Sequence, residues 1–325
     1  MTPTEFKIKF DALVAEMSRA VVGYRPLIAD LLIGVFSGGN ILLEGAPGLG
    51  KTLIGKTLAA ALSMKQTRIQ FTPDLMPADI VGTNIIVEDE LGKKEMVFQP
   101  GPVFTHVLLA DEINRATPKT QSALLEAMQE HHVTVAGKTH VLEEPFFVVA
   151  TQNPEDLEGT YRLPEAQIDR FGFRLRLTAL ADNEWIEVVR RRTGTRSVEV
   201  KPALTHEEVL AMQAAVRAVN ISRQVCTEAA RLVSATHPTG DSAIESVRKY
   251  IRLGASPRGV QALILGAKVR ALIEGRNEVS IGDIHAVAIP ALGHRLLFNF
   301  EGQAERIEPE MIVKEILSSS PKQSR

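Results

Sequence analysis

Cysteine is nearly absent: Cys226 is the only one in 325 residues. That excludes an internal disulfide or a thiolate metal cluster and fits a reducing compartment. Long apolar runs are missing as well. The best stretch, Leu27 to Leu43, is broken by Asp30, Gly38, Gly39 and Asn40, so no bilayer-spanning segment is expected. Glu5, Lys7, Lys9 and Asp11 leave no apolar signal-peptide core near the start, and a cytoplasmic protein is the expectation. Neither sign of charge dominates, with 37 basic against 39 acidic side chains and a net charge of −2. No global field then draws the chain onto nucleic acid or anionic membrane, although a local basic groove stays open. There is no internal repeat and no low-complexity tract. Hydrophobic content of 45% and charged content of 23% are those of an ordinary globular protein, long enough for two domains.

What is present is concentrated in residues 45–52, Gly-Ala-Pro-Gly-Leu-Gly-Lys-Thr. They follow an apolar run, Ile41-Leu42-Leu43-Glu44, and open into a helix-favouring stretch from Lys51 to Leu62. A strand–loop–helix setting turns the G-x-x-x-x-G-K-[ST] pattern into a phosphate-binding loop. Glycines let backbone N–H groups face a triphosphate, and the helix N-terminus adds a favourable dipole. Lys51 would reach the β- and γ-phosphates, and the Thr52 hydroxyl would bind Mg²⁺. The chain is expected to bind a nucleoside triphosphate, with Gly45, Ala46, Pro47, Gly48, Leu49, Gly50 and Leu53 completing the cradle.

Around the loop, short apolar strands at 41–44, 68–71, 106–110, 146–151 and 173–177 alternate with helices. This rhythm predicts an α/β fold, a parallel sheet covered by helices on both faces. Thr2-Pro3-Thr4-Glu5 reads as a helix start, followed by Phe6, Phe10, Leu13, Val14, Met17 and Val21 at helical spacing. Residues 83–98 and 132–142 alternate apolar and polar around tight turns, as inserted β-hairpins do. Beyond about residue 180 strand signals vanish. Helices are expected at 182–192, 205–219, 222–236, 257–274, 281–289 and 309–318. The domains are read as an α/β nucleotide core, residues 1–180, and an all-helical lid, residues 181–325.

Val107-Leu108-Leu109-Ala110-Asp111-Glu112 is a buried strand ending in two carboxylates, an arrangement costly without a cation. Asp111 would hold Mg²⁺, and Glu112 would polarise the attacking water as general base. A hydrolytic base also argues against a small-molecule kinase. The next strand ends in Gln152-Asn153-Pro154, where the Asn153 amide could orient that water. An Asn before Pro is equally a turn residue.

Gly45–Thr52, the Leu108–Arg115 block (Leu-Leu-Ala-Asp-Glu-Ile-Asn-Arg), Ala150–Pro154 and Leu163–Phe171 (Leu-Pro-Glu-Ala-Gln-Ile-Asp-Arg-Phe) together resemble MoxR-type AAA+ ATPases of the helix-2-insert clade. The resemblance implies an AAA+ P-loop sheet with inserted β-hairpins and a helical lid. It gives Val22 and Gly23 to the adenine pocket, with Tyr24 where Gln is common, and makes Asn153 the first sensor. Arg170 becomes the arginine finger, with Arg174 as fallback, neutralising charge in a neighbour's site. Arg258, in Ser256-Pro257-Arg258-Gly259, becomes the second sensor. A cation in the first turn of a helix opposes the dipole unless an anion faces it. Arg162 and Gly293 depart from the family's usual residues.

The function so implied is Mg²⁺-dependent ATP hydrolysis by a homo-oligomeric ring, a hexamer by resemblance, doing chaperone-like remodelling of client proteins. A partner bearing a von Willebrand factor A domain and client contacts through the hairpins belong to the same expectation. Lys51, Thr52, Asp111, Glu112, Asn153 and Arg258 would come from one subunit and Arg170 from the next. Two alternatives stand beside it. One is a nucleic-acid or chelatase-type motor, which the acidic balance and lack of a DNA-binding module oppose. The other is a low-turnover nucleotide-gated scaffold, whose signature would be loss of Glu112 or Arg170. His131-His132 is read as no metal site, because adjacent strand residues point apart. Arg190-Arg191-Arg192 is read as a solvated patch, Phe6 and Phe10 as core or interface, and Cys226 as packed.

Overall fold

The computed structural model of the protein describes residues 1–88, 90, 92–154, 159–161, 163–194 and 198–319. Arg162, and Leu91 of the Glu-Leu-Gly turn expected from sequence, lie outside the described residues. Two helices lead, α1 (Pro3–Ala20) and α2 (Arg25–Phe36). α1 begins at a reciprocal cap: Thr2 N donates to Glu5 Oε2 at 2.8 Å, and Glu5 N donates to Thr2 Oγ1 at 3.2 Å. The alternating segment follows as β1 (Asn40–Glu44), α3 (Lys51–Ala61), β2 (Gln66–Gln70), α4 (Pro77–Val81) and the hairpin β3 (Gly82–Glu88)–β4 (Lys94–Pro100). Then come β5 (Val107–Asp111), α5 (Pro118–Glu130), the hairpin β6 (His132–Val135)–β7 (Lys138–Val141), β8 (Phe147–Gln152), α6 (Glu165–Ile168) and β9 (Phe171–Arg176).

Five of these strands form one parallel sheet in the order β2-β5-β8-β1-β9. Side chains alternate across it. Ile41, Leu43, Leu109, Val149 and Phe173 join one core; Leu42, Leu108, Ala110, Val148 and Ala150 join the other. Both faces are therefore apolar, which is why the strands read as continuous hydrophobic runs rather than as alternation. The two hairpins stay outside the sheet as separate two-stranded units.

The rest of the chain adds α7 (Asp182–Thr193), α8 (His206–Ala218), α9 (Arg223–Ser234), α10 (Glu245–Tyr250), β10 (Ile251–Leu253), α11 (Pro257–Ile273), α12 (Ile281–Leu292), β11 (Leu297–Phe298), α13 (Phe300–Ala304) and α14 (Pro309–Ser318). This half is not wholly helical, since β10 and β11 pair antiparallel. At three and two residues they are too short to show a period in sequence. α12 also runs past Pro290 to Leu292; so near the helix end the proline removes only one intrahelical bond. α8, α9, α11, α12 and α14 share the core of α1, α2 and α3 on one sheet face. Gly266 lets α11 approach the sheet closely, because a Cβ there would lie 2.7 Å from Phe173 Cζ of β9.

A parallel sheet brings all carboxyl ends of its strands to one edge. Glu44, Gln70, Asp111 and Gln152 end their strands there, while Asn40 pairs with Phe171 at the opposite edge. Five residues at about 3.3 Å each put about 15 Å between the two edges.

Candidate active site

The loop at 45–52 joins the carboxyl end of β1 to α3. Gly48 and Gly50 have φ of +84° and +90°, and a Cβ at either would meet nothing within 4 Å, so the backbone there is left-handed and open to a ligand. Gly45 instead packs against the chain, with Leu177 Cβ 3.0 Å from its own virtual Cβ. The Lys51 ammonium folds over the loop, donating to the Gly45 carbonyl and to Ala46 O at 3.0 Å. A cation over a glycine-bearing turn at a helix N-terminus is the arrangement that receives phosphate.

Asp111, at the end of β5, is buried and faces that loop. Its Oδ2 accepts from Thr52 Oγ1 at 3.0 Å and from Arg68 Nε and Nη2 at 3.0 and 2.7 Å. Its Oδ1 accepts from Thr151 Oγ1 at 2.5 Å. Burial pushes the Asp111 carboxyl up, but the hydrogen bonds from Thr151, Arg68 and Thr52 outweigh it and hold the group below its ordinary value. The Thr52 hydroxyl and Asp111 carboxylate fit a magnesium ion: hard oxygens side by side, with a guanidinium already standing at the carboxylate as cation.

Glu112 sits in the left-handed region, φ 56° and ψ 49°, which is strained for a non-glycine residue. The turn is fixed by its N–H donating to Thr151 Oγ1 at 2.9 Å. Its Oε2 is engaged by Gln70 Nε2 and by Arg115 Nε, each at 2.9 Å. Asn153 is buried one residue beyond the end of β8, which lies beside β5. Next to it Gln152 Nε2 donates to Glu44 Oε1 at 2.8 Å. Burial pushes the Glu44 carboxyl up while Arg174 Nε, at 3.7 Å, pulls it down. Arg174 thus lies inside the molecule between Glu44 and Glu310, and it is not presented outward with Arg170.

Arg170 stands at the opposite edge of the sheet, immediately before β9. Its Nε donates to Gln129 Oε1 at 2.9 Å. Arg258, in the first turn of α11, comes to the same place. It donates to Asp169 Oδ2 at 3.2 Å and to the same Gln129 oxygen at 3.4 Å. Arg258 thus groups with Arg170, across the sheet from Lys51. Asp169 is fixed from behind by the buried Arg295, whose Nε donates to Oδ1 at 3.0 Å. Ser256 Oγ, which caps α11, donates to the same carboxylate at 2.8 Å. Gly38, Gly39, Gln129, Asp169, Arg170 and Arg258 line a cavity of about 250 Å³.

Val22 is half-buried and Gly23 exposed, near the loop end of β9. Gly23 has φ +82°, and any Cβ there would meet Leu180 at 2.6 Å and Glu184 at 2.8 Å. Tyr24 is buried and donates its hydroxyl to Thr178 O at 2.8 Å. The segment is thereby tied to the strand end that touches Gly45.

A family model described as "ATPase family associated with various cellular activities (AAA)" matches residues 40–173, and one described as "AAA lid domain" matches 244–316. The chain is 39% identical to the chaperone MoxR1 of Mycobacterium tuberculosis, over 94% of this chain and 80% of that one. It is 30% identical to the protein MoxR of Methylorubrum extorquens, over 91% and 90%. It belongs to the MoxR family of AAA+ ATPases. The crystal structure of a putative ATPase from Cytophaga hutchinsonii superposes with a TM-score of 0.89 at 39% identity, covering 99% of this chain and 97% of that one. Family membership brings nucleotide binding with it.

Against this MoxR framework, several partners escaped the sequence reading. Arg68, Gln70, Thr151 and Gln129 all touch the expected site residues. A signal existed for the first two, because Gln66, Arg68 and Gln70 put polar groups at every second position of a strand at the sheet's edge. His131 is the left-handed cap of α5 rather than a strand residue, and it pairs with Glu144. Among the described residues no three His, Cys, Asp or Glu side chains converge as a metal site. Phe6 and Phe10 are core, and Cys226 is half-buried.

Proposed function

We propose that the protein hydrolyses ATP at sites shared between neighbouring subunits of a ring, one subunit supplying Lys51, Thr52, Asp111, Glu112 and Asn153 and the next supplying both Arg170 and Arg258. The observation carrying this reading is the pairing of the two arginines on Gln129, about 15 Å of strand away from their own phosphate loop. Arg258 and the buried Arg295 already share the single carboxylate of Asp169, so with Arg170 beside them the cluster has room for a further anion, and their own chain's loop lies at the other end of the sheet. Mg²⁺ held by Thr52 and Asp111 would neutralise phosphate charge. Glu112, once released from Gln70 and Arg115, would take the proton of the attacking water. Asn153 would orient that water, and Val22 and Gly23 would border the base. Head-to-tail contacts of this kind close into rings, and a hexamer is the form the family resemblance supports.

The output would be chaperone-like remodelling of a client protein. Ile86 and Met96 on the first hairpin and Val141 on the second expose 68%, 68% and 77% of their surface, which suits transient apolar contacts. A partner with a von Willebrand factor A domain rests on the family resemblance alone. We place the division between ATPase core and lid near residue 180. Among the described residues no helix is long and apolar enough to cross a membrane, and a cytoplasmic site of action fits the single cysteine. Turnover per protomer, followed across protein concentration, tests the shared site. It should rise as subunits assemble; a flat specific activity in a monomer would sink the reading.

A further inference from the structure

α7 is an inside-out helix. Trp185, Ile186 and Val189 expose 43%, 70% and 57% of their surface, and none of the helix's described side chains is buried. Glu184, Glu187 and Arg191 are half-buried against the chain, as is Val188, while Asp182 and Arg190 stay exposed. Glu184 lies against Gly23 and accepts from Ala181 N at 2.8 Å, while Arg191 donates to Glu187 at 2.6 Å and to the carbonyl of Arg19. By contrast, α14 buries Ile312, Val313 and Ile316. Spacing of i, i+1 and i+4 places Trp185, Ile186 and Val189, three of the four apolar side chains of α7, in one contiguous patch, which a monomer rarely leaves in water.

The position of the patch says what covers it. β9 ends at Arg176, and Leu177 touches Gly45 of the phosphate loop. Leu180 touches Gly23, and α7 begins at Asp182. The helix that carries the patch therefore starts at the border of the nucleotide site, which on the shared-site reading is completed by Arg170 and Arg258 of another copy. We infer that the Trp185–Ile186–Val189 face of α7 is part of the seam between subunits, covered by the arginine-bearing end of a second copy. The inference rests on the shared-site reading above and adds to it a surface, and an optical reporter, since Trp185 is the chain's only tryptophan.

The test follows Trp185 emission and assembly state by sedimentation, in the full-length Glu112→Gln protein with ATP, as concentration is raised. The expected result is that emission shifts to shorter wavelength and becomes less accessible to acrylamide as subunits associate. In the same background Ile186→Lys should move the midpoint of association to at least tenfold higher concentration, whereas Ile186→Leu should not. Nucleotide binding and thermal melting of the dilute Ile186→Lys protein show that it is folded; should it not fold, the Trp185 readout of the Glu112→Gln protein alone decides. If rings form and share sites while Trp185 stays solvent-exposed and Ile186→Lys assembles as the parent does, the seam assignment is overturned and the shared site stands. If no association occurs at any concentration, both fall.

Discussion

At the loop edge of the sheet each of three carboxylates has its own guanidinium, whereas at the opposite edge two guanidinium groups share one carboxylate and a third stands beside them. Asp111 has Arg68, Glu112 has Arg115 and Glu44 has Arg174. Across the sheet, Arg170, Arg258 and Arg295 gather round one carboxylate, Asp169, and the Gln129 amide. Burial presses the Arg295 guanidinium down to about 10, against the pull of Asp169. The first edge can wait without a ligand, because the Arg68 guanidinium stands at the carboxylate where Mg²⁺ would bind. The second has surplus cations on a half-open surface, as a half-site does when it meets phosphate on another molecule.

The sharpest way to break this contrast is at Arg170. Arg170→Ala is expected to lower kcat by about 10³-fold, the lower range for an arginine that meets transferring phosphate, with nucleotide affinity of the dilute protein little changed. Steady-state turnover beside equilibrium binding would show the split, and equal losses in both would place Arg170 in ground-state binding. Glu112→Gln should come next, at about 10²-fold or more in kcat with nucleotide binding retained, because only the proton acceptor is lost. Gln129→Leu is expected to cost roughly tenfold in kcat with KM held, since it leaves both guanidinium groups in place but removes the amide that holds Arg170 beside Arg258. A Gln129→Leu protein with wild-type kcat would show that the shared amide orients nothing.

The smallest effect belongs to Arg68→Ala. It removes a charge-assisted contact to Asp111 that is partly solvent-exposed, and so should cost about 1 kcal/mol of stability rather than the larger value of a buried pair. The sign follows from the lowered Asp111 value. The stability that Asp111 contributes is present above the ordinary unfolded carboxyl value and is lost as pH falls through the lower folded one. The Tm gap between wild type and Arg68→Ala should therefore be full near neutral pH and close toward strong acid. A gap that widens in acid would contradict it.

The five sheet strands and most long helices were legible because each is apolar on a regular period and bounded by caps such as Thr2–Glu5 and Thr205–Glu208. The meeting of Thr52 with Asp111 beside Lys51 was legible because each residue ends or follows a strand in a pattern of local spacing. The side of the sheet on which Arg258 sits was not. That depends on α11 packing over β9 through Gly266 and Phe173, a contact between residues distant in sequence. Gln129 was illegible for the same reason: nothing near it in sequence announces two guanidinium partners. α7 could be recognised as a helix, but only the fold shows that its apolar side faces outward.

The most direct measurement is a complementation map in mixed rings. Arg258→Ala mixed with Glu112→Gln should regain turnover, to about a quarter of the wild-type rate at equal mixing, because one interface in four joins an intact Glu112 to an intact arginine pair. Arg258→Ala mixed with Arg170→Ala should regain nothing, since both lesions lie on the same edge. Recovery in the second mixture without recovery in the first would return Arg258 to its own subunit's nucleotide and contradict the shared arginine pair.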